Sequence, residues 1–188
     1  STNNCLWIGG NFNRFGGVTA TNICRYNLAT GVFSALGTDG IMEDDVICLA
    51  SDGTTLFVGT DTKDTALALD TDHIYKYTIS SGVWAGLTGL TDPDFPLDPG
   101  LSNAPSCLLI EGNHLFIGGG HLHPDISPKF IDYSISGGTY LTLWDGSGYP
   151  NLGDVNAMVY VSGIVYFAGE QTFWVGGRLQ RLLLEWRV

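Results

Sequence analysis

Positively charged residues are scarce in this chain, and their scarcity restricts what it can bind. Lysine and arginine together number 8 against 19 acidic residues, which leaves a formal net charge of −11 at pH 7. A surface of that sign repels phosphate backbones and anionic lipid headgroups, so binding to nucleic acid or to a membrane through a basic patch is disfavoured. We therefore expect partners that are neutral or positively charged.

Long apolar runs and metal-type cysteine spacings are also missing. No apolar stretch approaches the roughly 18 residues that a membrane-spanning helix needs, and no basic segment followed by an apolar stretch marks a signal peptide. The 4 cysteines form no CxxC pair, and Cys48 and Cys107 occupy the same position of successive repeats. Because free cysteine behaves as a small apolar residue, we expect buried free thiols rather than two disulfides or a zinc site.

Glycine and aromatic residues are abundant instead, and a short apolar run that ends in glycine recurs along the chain. Its copies are Leu6-Trp7-Ile8-Gly9-Gly10, Leu56-Phe57-Val58-Gly59-Thr60, Leu115-Phe116-Ile117-Gly118-Gly119 and Val165-Tyr166-Phe167-Ala168-Gly169. Aligned on their third residues, the copies lie 50, 59 and 50 residues apart. This is the period at which β-propeller blades repeat.

A complete repeat contains four strand-like segments, which we name a, b, c and d in chain order, and the recurring run is b. Segment a is continuously apolar, as in Val46-Ile47-Cys48-Leu49-Ala50, which predicts burial on both faces. Segment c alternates apolar and polar residues and ends on an aromatic, as in Ile74-Tyr75-Lys76-Tyr77, which predicts a half-exposed strand. Short turns join a to b and c to d, so the pattern predicts a four-stranded antiparallel blade.

The repeats resemble those of kelch-type propellers, whose marks are a Gly-Gly doublet closing strand b and then a Tyr and a Trp separated by six residues. Gly9-Gly10 with Tyr26 and Phe33 matches this pattern closely, as does Gly118-Gly119 with Tyr133 and Tyr140. The first repeat is also similar to the LxVGGxF-type repeats of large-virus and microbial surface proteins. The resemblance implies an all-β propeller and hardly specifies an activity, because propellers host unrelated functions.

The chain begins with strand b of one repeat and ends with strand c of another. We count fifteen strands, about 3.75 blades, in a single propeller domain or segment whose repeats cover approximately residues 1–36, 46–87, 105–143 and 155–188. Missing blades leave sheet faces and edges open, so we expect a segment of a larger propeller or a chain completed by a partner. A four-bladed ring closed by the two incomplete blades is an alternative. For Leu179 to Glu185, helix is an alternative by propensity.

The loops from d to a and from b to c are long, and they carry most of the 19 acidic residues. Strand alternation puts both sets on one rim, where recognition usually occurs on a rigid scaffold. The b-to-c loops include residues 170–181. From this rim we select Asp92, Asp94, Asp98, Tyr149 and Trp174 as binding-face candidates. The loop carboxylates also suit Ca²⁺, although none follows the DxDxDG order, and solvated acidic loops are the alternative.

His121, His123 and Asp125 form a second candidate metal site. Residues two apart in an extended stretch face the same way, so two imidazoles and a carboxylate would meet a transition metal there. An ordinary surface loop is the alternative. No resident cofactor is expected.

The sequence predicts a non-enzymatic structural or protein-interaction module on a virion or extracellular surface, bound to a protein partner or to further copies of itself. A glycan- or receptor-binding adhesin is an alternative, because aromatics in polar loops can stack on a sugar ring. Those aromatics are Phe15, Phe95, Tyr149 and Phe173-Trp174, and each could equally anchor its own loop. A metal-dependent propeller enzyme is a more distant alternative, since no ordered nucleophile motif such as GxSxG occurs.

Overall fold

The computed structural model describes residues 4–36, 45–61, 73–87, 104–120, 130–144, 154–175 and 178–187. Within these ranges all regular structure is β-strand, and every strand pairing is antiparallel. The predicted all-β class is therefore confirmed. The described residues contain no helix long and apolar enough to cross a membrane.

The first compact unit, Ser1–Leu87, contains two sheets and a small hairpin. Its strands are β1 Cys5–Gly9, β2 Arg14–Phe15, β3 Val18–Thr19, β4 Ile23–Asn27, β5 Val32–Ala35, β6 Val46–Ser51, β7 Thr55–Thr60, β8 Ile74–Thr78 and β9 Val83–Gly86. Sheet 1 has the order β1-β4-β5 and sheet 2 the order β6-β7-β8-β9, while β2 and β3 pair only with each other. Sheet 1 thus contains segments b, c and d, and sheet 2 contains all four.

The second compact unit, Thr88–Val188, also contains two sheets. Its strands are β10 Pro105–Glu111, β11 His114–Gly119, β12 Phe130–Ser134, β13 Thr139–Trp144, β14 Val155–Val161, β15 Ile164–Val175 and β16 Arg178–Arg187. Sheet 3 has the order β10-β11-β12-β13 and sheet 4 the order β14-β15-β16. Segments a to d follow one another across sheet 3, and sheet 4 contains a, b and c.

The predicted count of fifteen repeat strands was wrong. In the described ranges the four sheets hold fourteen strands, arranged as three, four, four and three, and the other two form the β2–β3 hairpin. That hairpin lies inside the first b-to-c loop. Its turn residues Gly16 and Gly17 have φ angles of +58° and +85°, which a two-residue hairpin turn requires and which glycine adopts without strain.

The long b-to-c loop predicted for residues 170–181 was also wrong. Strand β15 continues to Val175 and β16 begins at Arg178, and the two residues pair directly. Because aromatic and β-branched residues favour extended backbone, the run from Thr172 to Val175 prolongs the hairpin instead of leaving it. The helix considered for Leu179 to Glu185 is likewise replaced by strand β16.

The middle strands of the sheets are more buried than the first strands, which reverses the predicted pattern. All five residues of β12, a c strand, are buried, whereas β14, an a strand, exposes Ala157, Val159 and Val161. The physical reason is position. Strands b and c lie in the middle of a four-stranded sheet, and strand a lies at its edge, so continuous apolar character in a did not indicate burial on both faces.

Candidate interaction site

Within each unit, the glycine near the end of strand b of the first sheet marks where the second sheet touches it. A Cβ atom added to Gly9 would collide with Val46 Cγ1 and lie 3.2 Å from Leu49 Cδ1. A Cβ atom added to Gly118 would lie 2.7 Å from Val155 Cγ1. In both units, the valine that begins the next strand a packs directly on the backbone of the preceding strand b. A side chain is therefore excluded at the glycine of strand b.

Each sheet therefore has two distinct faces. We call the face that packs on the following sheet within a unit the forward face, and the opposite one the backward face. In the first unit, Trp7 and Ile23 on the forward face of sheet 1 pack against Leu56, Val58 and Tyr75 on the backward face of sheet 2. Forward-on-backward contact therefore builds the core of this unit.

The second unit repeats this arrangement with different side chains. Phe116 and Phe130 on the forward face of sheet 3 pack against Val155 and Val165 of sheet 4. Leu109 of β10 joins the same forward face. The two units thus use one packing rule, which the repeats encode independently.

The backward face of sheet 1 is open at the β1 side. Residues alternate between faces along a strand, so Leu6 lies on the face opposite to Trp7. Leu56, Leu115 and Val165 occupy the position of Leu6 in the other three repeats, and each has 0% of its surface exposed. Leu6 is 52% exposed. The same repeat position is therefore fully buried in three repeats and half exposed in the first repeat.

The forward face of sheet 4 is open in the same way. Val159 pairs with Tyr166 as Leu109 pairs with Phe116, so Val159 and Leu109 are equivalent. Leu109 packs into the core of its unit, whereas Val159 is 53% exposed and its same-face neighbour Val161 is 50% exposed. An apolar strip on sheet 4 thus lacks the cover that the equivalent strip on sheet 3 has.

Strand β1 also has an open edge. The bonds from Gly10 N–H to Asn22 O (3.0 Å) and from Leu28 N–H to Asn4 O (2.7 Å) fix which residues of β1 bond to β4. By the alternation of an antiparallel ladder, the backbone groups of Trp7 and Gly9 point away from β4. Sheets 2 and 3 hold a strand on that side, and in the described ranges none pairs there with β1.

A groove runs beside this edge. It has a volume of about 350 Å³ and is lined by residues 7–9 of β1 and 46–49 of β6. The lining is apolar side chain plus the exposed backbone edge of β1. Such a combination suits an extended peptide, whose main chain pairs with the edge while its side chains enter the groove.

Most of the residues selected from the sequence lie outside the described residues. These are Asp92, Asp94, Asp98 and Tyr149 of the binding face and His121, His123 and Asp125 of the metal proposal. Trp174 is placed in strand β15, opposite Leu179, rather than in a loop. Within the described ranges no three His, Cys, Asp or Glu side chains come close enough to hold a metal ion.

Two of the long loops are partly described: the end of the first d-to-a loop, with Asp45, and the first b-to-c loop, with Phe15. Asp45 accepts a hydrogen bond of 2.8 Å from Asn11 Nδ2, which ties the end of one loop to another. Phe15 packs against Phe12 and Phe33, with ring centroids 5.2 and 5.6 Å away. Phe15 therefore anchors the β2–β3 hairpin on the backward face of sheet 1, next to β5. This geometry favours the loop-anchor interpretation of Phe15 over sugar stacking.

A partly buried polar pair on sheet 3 was missed from the sequence. His114 Nδ1 lies 2.8 Å from Asp132 Oδ1, and the imidazole stacks on Phe116 with centroids 5.7 Å apart. The only signal was that the third residue of every c segment is charged: Arg25, Lys76, Asp132 and Glu185. Nearby, Ser134 Oγ accepts hydrogen bonds from Asn113 Nδ2 and from the backbone N–H of Gly137. These contacts order the strand ends, and we assign them a structural role.

The four cysteines form no disulfide, as predicted, but only Cys24 is buried and the other three are half-buried. Cys107 lies between sheets 3 and 4, where its thiol donates to the carbonyl oxygen of Val155 at 3.5 Å. Burial raises the pKa of Cys107 to about 12, against a smaller opposing effect from the backbone N–H of Gly118. The thiol is therefore protonated at neutral pH.

We expect Cys107 to be alkylated by iodoacetamide at pH 8 on the order of 100-fold more slowly than Cys5, because the thiolate is the reactive species. Peptide mass spectrometry after timed labelling measures both rates. The folded state keeps the Cys107 proton above pH 9, where an unfolded thiol with the ordinary pKa of 9.0 loses it. Folding stability should therefore fall as pH rises above 9, and Cys107→Ala should make that fall shallower. Equal labelling of both cysteines in the folded protein would contradict the assignment.

Comparisons with known proteins bear on the fold alone. No protein-family model matches the chain, and no curated protein matches it. The crystal structure of the computationally designed Ika4 protein is similar, with a TM-score of 0.55, 16% identity, and coverage of 88% of this chain and 79% of that one. The computationally designed Ika8 protein gives a TM-score of 0.51 at 17% identity, with coverage of 85% of this chain and 42% of that one. The chain thus spans less than half of the Ika8 chain and shares its fold with both designs.

Proposed function

We propose that the chain is a β-propeller segment that acts as a non-enzymatic structural and protein-interaction module. Three features support the propeller: a repeat near 50 residues, four-stranded antiparallel sheets in a-b-c-d order, and sheets that stack forward face on backward face within each unit. A location on a virion or extracellular surface and a binding role for the acidic loops stay predictions from the sequence.

The open edge of β1 is the observation that carries the interaction role. The backbone groups of Trp7 and Gly9 face a groove of about 350 Å³. Unpaired strand edges are templates for another strand, and strand addition to such an edge is a common mode of peptide recognition. The module binds an extended segment of a partner along β1.

The other sheets indicate what this segment must look like. At the repeat position of Gly9, the pairs in the other sheets are Cys48 opposite Gly59, Cys107 opposite Gly118, and Ala157 opposite Ala168. A small residue is used each time, and apolar residues follow it. The added strand therefore runs antiparallel to β1 and places a small side chain opposite Gly9.

A peptide with the sequence of residues 154–161 tests this proposal, because it carries the a segment of sheet 4 and no cysteine. Amide hydrogen exchange of the full chain is measured by NMR with and without the peptide. We expect exchange at Trp7 and Gly9 to be fast without the peptide and to slow at least about tenfold with it, since each N–H gains a ladder hydrogen bond. The amides of Leu6 and Ile8, which already bond to β4, serve as internal references.

The matched control is the same peptide with proline in place of Val159. Proline removes the backbone donor that would face β1, so this peptide should leave exchange at Trp7 and Gly9 unchanged. Slow exchange at both amides before peptide is added would show that the edge is already occupied. An identical response to both peptides would show that the effect is not strand pairing. Either result rejects strand addition at β1.

A further inference from the structure

We infer that copies of this chain associate head to tail, with the forward face of sheet 4 in one copy packed on the backward face of sheet 1 in the next. The inference deepens the proposed function and rests on it, because it names a second copy of this chain as a partner of the module. It concerns the sheet faces and is independent of the β1 edge.

The first argument is the comparison of equivalent positions. Leu6 is 52% exposed where its three counterparts are fully buried, and Val159 is 53% exposed where its counterpart Leu109 packs into a core. The sequence thus places apolar side chains at these positions as though a neighbouring sheet were present. Exposing them costs the hydrophobic stabilisation that the other repeats gain from the same residues.

The second argument is that the two open faces are the two halves of an interface that the chain already contains. Sheet 1 packs its forward face on the backward face of sheet 2, and sheet 3 does the same with sheet 4. Sheet 1 has an open backward face at its β1 side, and sheet 4 has an open forward face. When a second copy packs its open face on the other open face of the first copy, the contact is again a forward face on a backward face. It therefore follows the packing rule seen within each unit.

The third argument is the chemistry of the two faces. The backward face of sheet 1 near β1 is formed by Leu6, Ile8 and Tyr26 and carries no charge. On the forward face of sheet 4, strands β14 and β15 contribute three pairs of small or apolar residues: Ala157 with Ala168, Val159 with Tyr166, and Val161 with Ile164. In an acidic chain of net charge −11, these uncharged parts of the two faces are where two copies approach with the least repulsion.

Strand β16 adds two charged residues at register positions of this face, Glu185 opposite Tyr166 and Arg187 opposite Ile164, and sheet 1 shows that the first position is compatible with packing. Glu185 pairs with Tyr166 in sheet 4, at the register position that Arg25 occupies opposite Trp7 in sheet 1. Arg25 donates from Nε to Ser34 Oγ at 3.3 Å, while its sheet still packs on sheet 2. A charge in this row therefore does not prevent forward-on-backward contact.

The hairpin β2–β3 limits how much of sheet 1 a second copy covers. Phe15 lies 5.6 Å from Phe33, so the hairpin covers the backward face beside β5. Leu6, on β1 at the opposite side of the sheet, stays open. The second copy consequently docks on the β1 side of this face.

Head-to-tail contacts use two different surfaces, and this gives the inference a specific signature. Such contacts close into a ring when the rotation allows and otherwise continue into a filament. A variant that blocks only one surface cannot grow past a monomer on its own. Two variants blocked on opposite surfaces must still pair once, because each retains the surface that the other has lost.

Sedimentation velocity on the full chain between about 1 and 200 µM tests the inference. We expect the wild type to shift from the 20.2 kDa monomer to larger species as its concentration rises. Leu6→Glu and Val159→Glu should each remain monomeric, and an equimolar mixture of the two should form a heterodimer and nothing larger. Val32→Glu is the matched control, because Val32 is 56% exposed but lies on the face of sheet 1 opposite to Leu6, and it should associate like the wild type.

Several outcomes would overturn head-to-tail association. The inference is rejected if the wild type is monomeric throughout the concentration range. It is also rejected if both glutamate variants still associate, or if only one of them loses association. A mixture that gives no heterodimer while circular dichroism shows both variants folded would also reject it. None of these results bears on the peptide experiment, which reads exchange at the β1 edge of a monomer, so failure of one proposal is distinguishable from failure of the other.

Discussion

Replacing Gly9 with alanine is expected to lower the free energy of unfolding by about 2–3 kcal/mol, because one methyl group must be accommodated where none fits. The added Cβ would collide with Val46 Cγ1 and lie 3.0 Å from Val46 Cβ and 3.2 Å from Leu49 Cδ1. These atoms belong to β6, which the bond from Val46 N–H to Gly10 O (3.2 Å) holds against the end of β1. Urea denaturation followed by tryptophan fluorescence measures the change.

Gly10 provides the matched control for this prediction. A Cβ atom at Gly10 would meet only the Phe12 ring, at 3.7 Å, which is ordinary van der Waals contact. Gly10→Ala should therefore change the free energy of unfolding by less than about 0.5 kcal/mol. Since both substitutions make the same chemical change at neighbouring residues, general effects on the unfolded chain cancel between them.

A double-mutant cycle identifies the partner. Val46→Ala removes the methyl group that the new Cβ would meet, so the double variant Gly9→Ala, Val46→Ala should be more stable than the sum of the two single effects by about 1 kcal/mol or more. If the effects simply add, the collision with Val46 is not the cause. The requirement for glycine would then come from the backbone of β1 itself.

The order of strands within each sheet could be predicted because the repeats encode it locally. Each b segment ends in a small residue, each c segment ends in an aromatic, and the turns between a and b carry glycine. These signals depend on neighbours within a few residues, so a single repeat suffices to read them. The hairpin extension from Thr172 to Val175 was missed because an apolar run that ends in a small residue indicates a strand without fixing how far that strand continues.

The open faces could not be predicted from the sequence in the same way. Leu6 and Leu56 begin the same motif, and nothing in the residues around them shows that one is exposed and the other buried. Exposure of a repeat position depends on whether another sheet lies against it, which is a property of the assembled sheets. The pair His114 and Asp132 was missed for a related reason, since cross-strand contacts join residues 18 positions apart.

Replacing Leu56 with alanine is expected to lower the free energy of unfolding by about 2–4 kcal/mol, as buried leucine truncations do when the surrounding core cannot collapse into the cavity. Leu56 is fully buried in the core that joins sheets 1 and 2, among Ile23, Val46 and Val58. Leu6→Ala removes the same atoms from the same repeat position, yet it should cost less than about 1 kcal/mol in the monomer. Urea denaturation at low micromolar concentration makes the comparison.

Varying the protein concentration then distinguishes whether Leu6 is covered by a second copy or by residues of its own chain. If copies associate head to tail, the cost of Leu6→Ala should be small near 1 µM and rise near 200 µM, because binding of a second copy stabilises the folded wild type by mass action. A cost equal to that of Leu56→Ala at every concentration would mean that Leu6 is covered within its own chain, and head-to-tail association through this face would be rejected. The pair Val165→Ala and Val159→Ala repeats the test on sheet 4, where the buried residue should cost more than its exposed neighbour at low concentration.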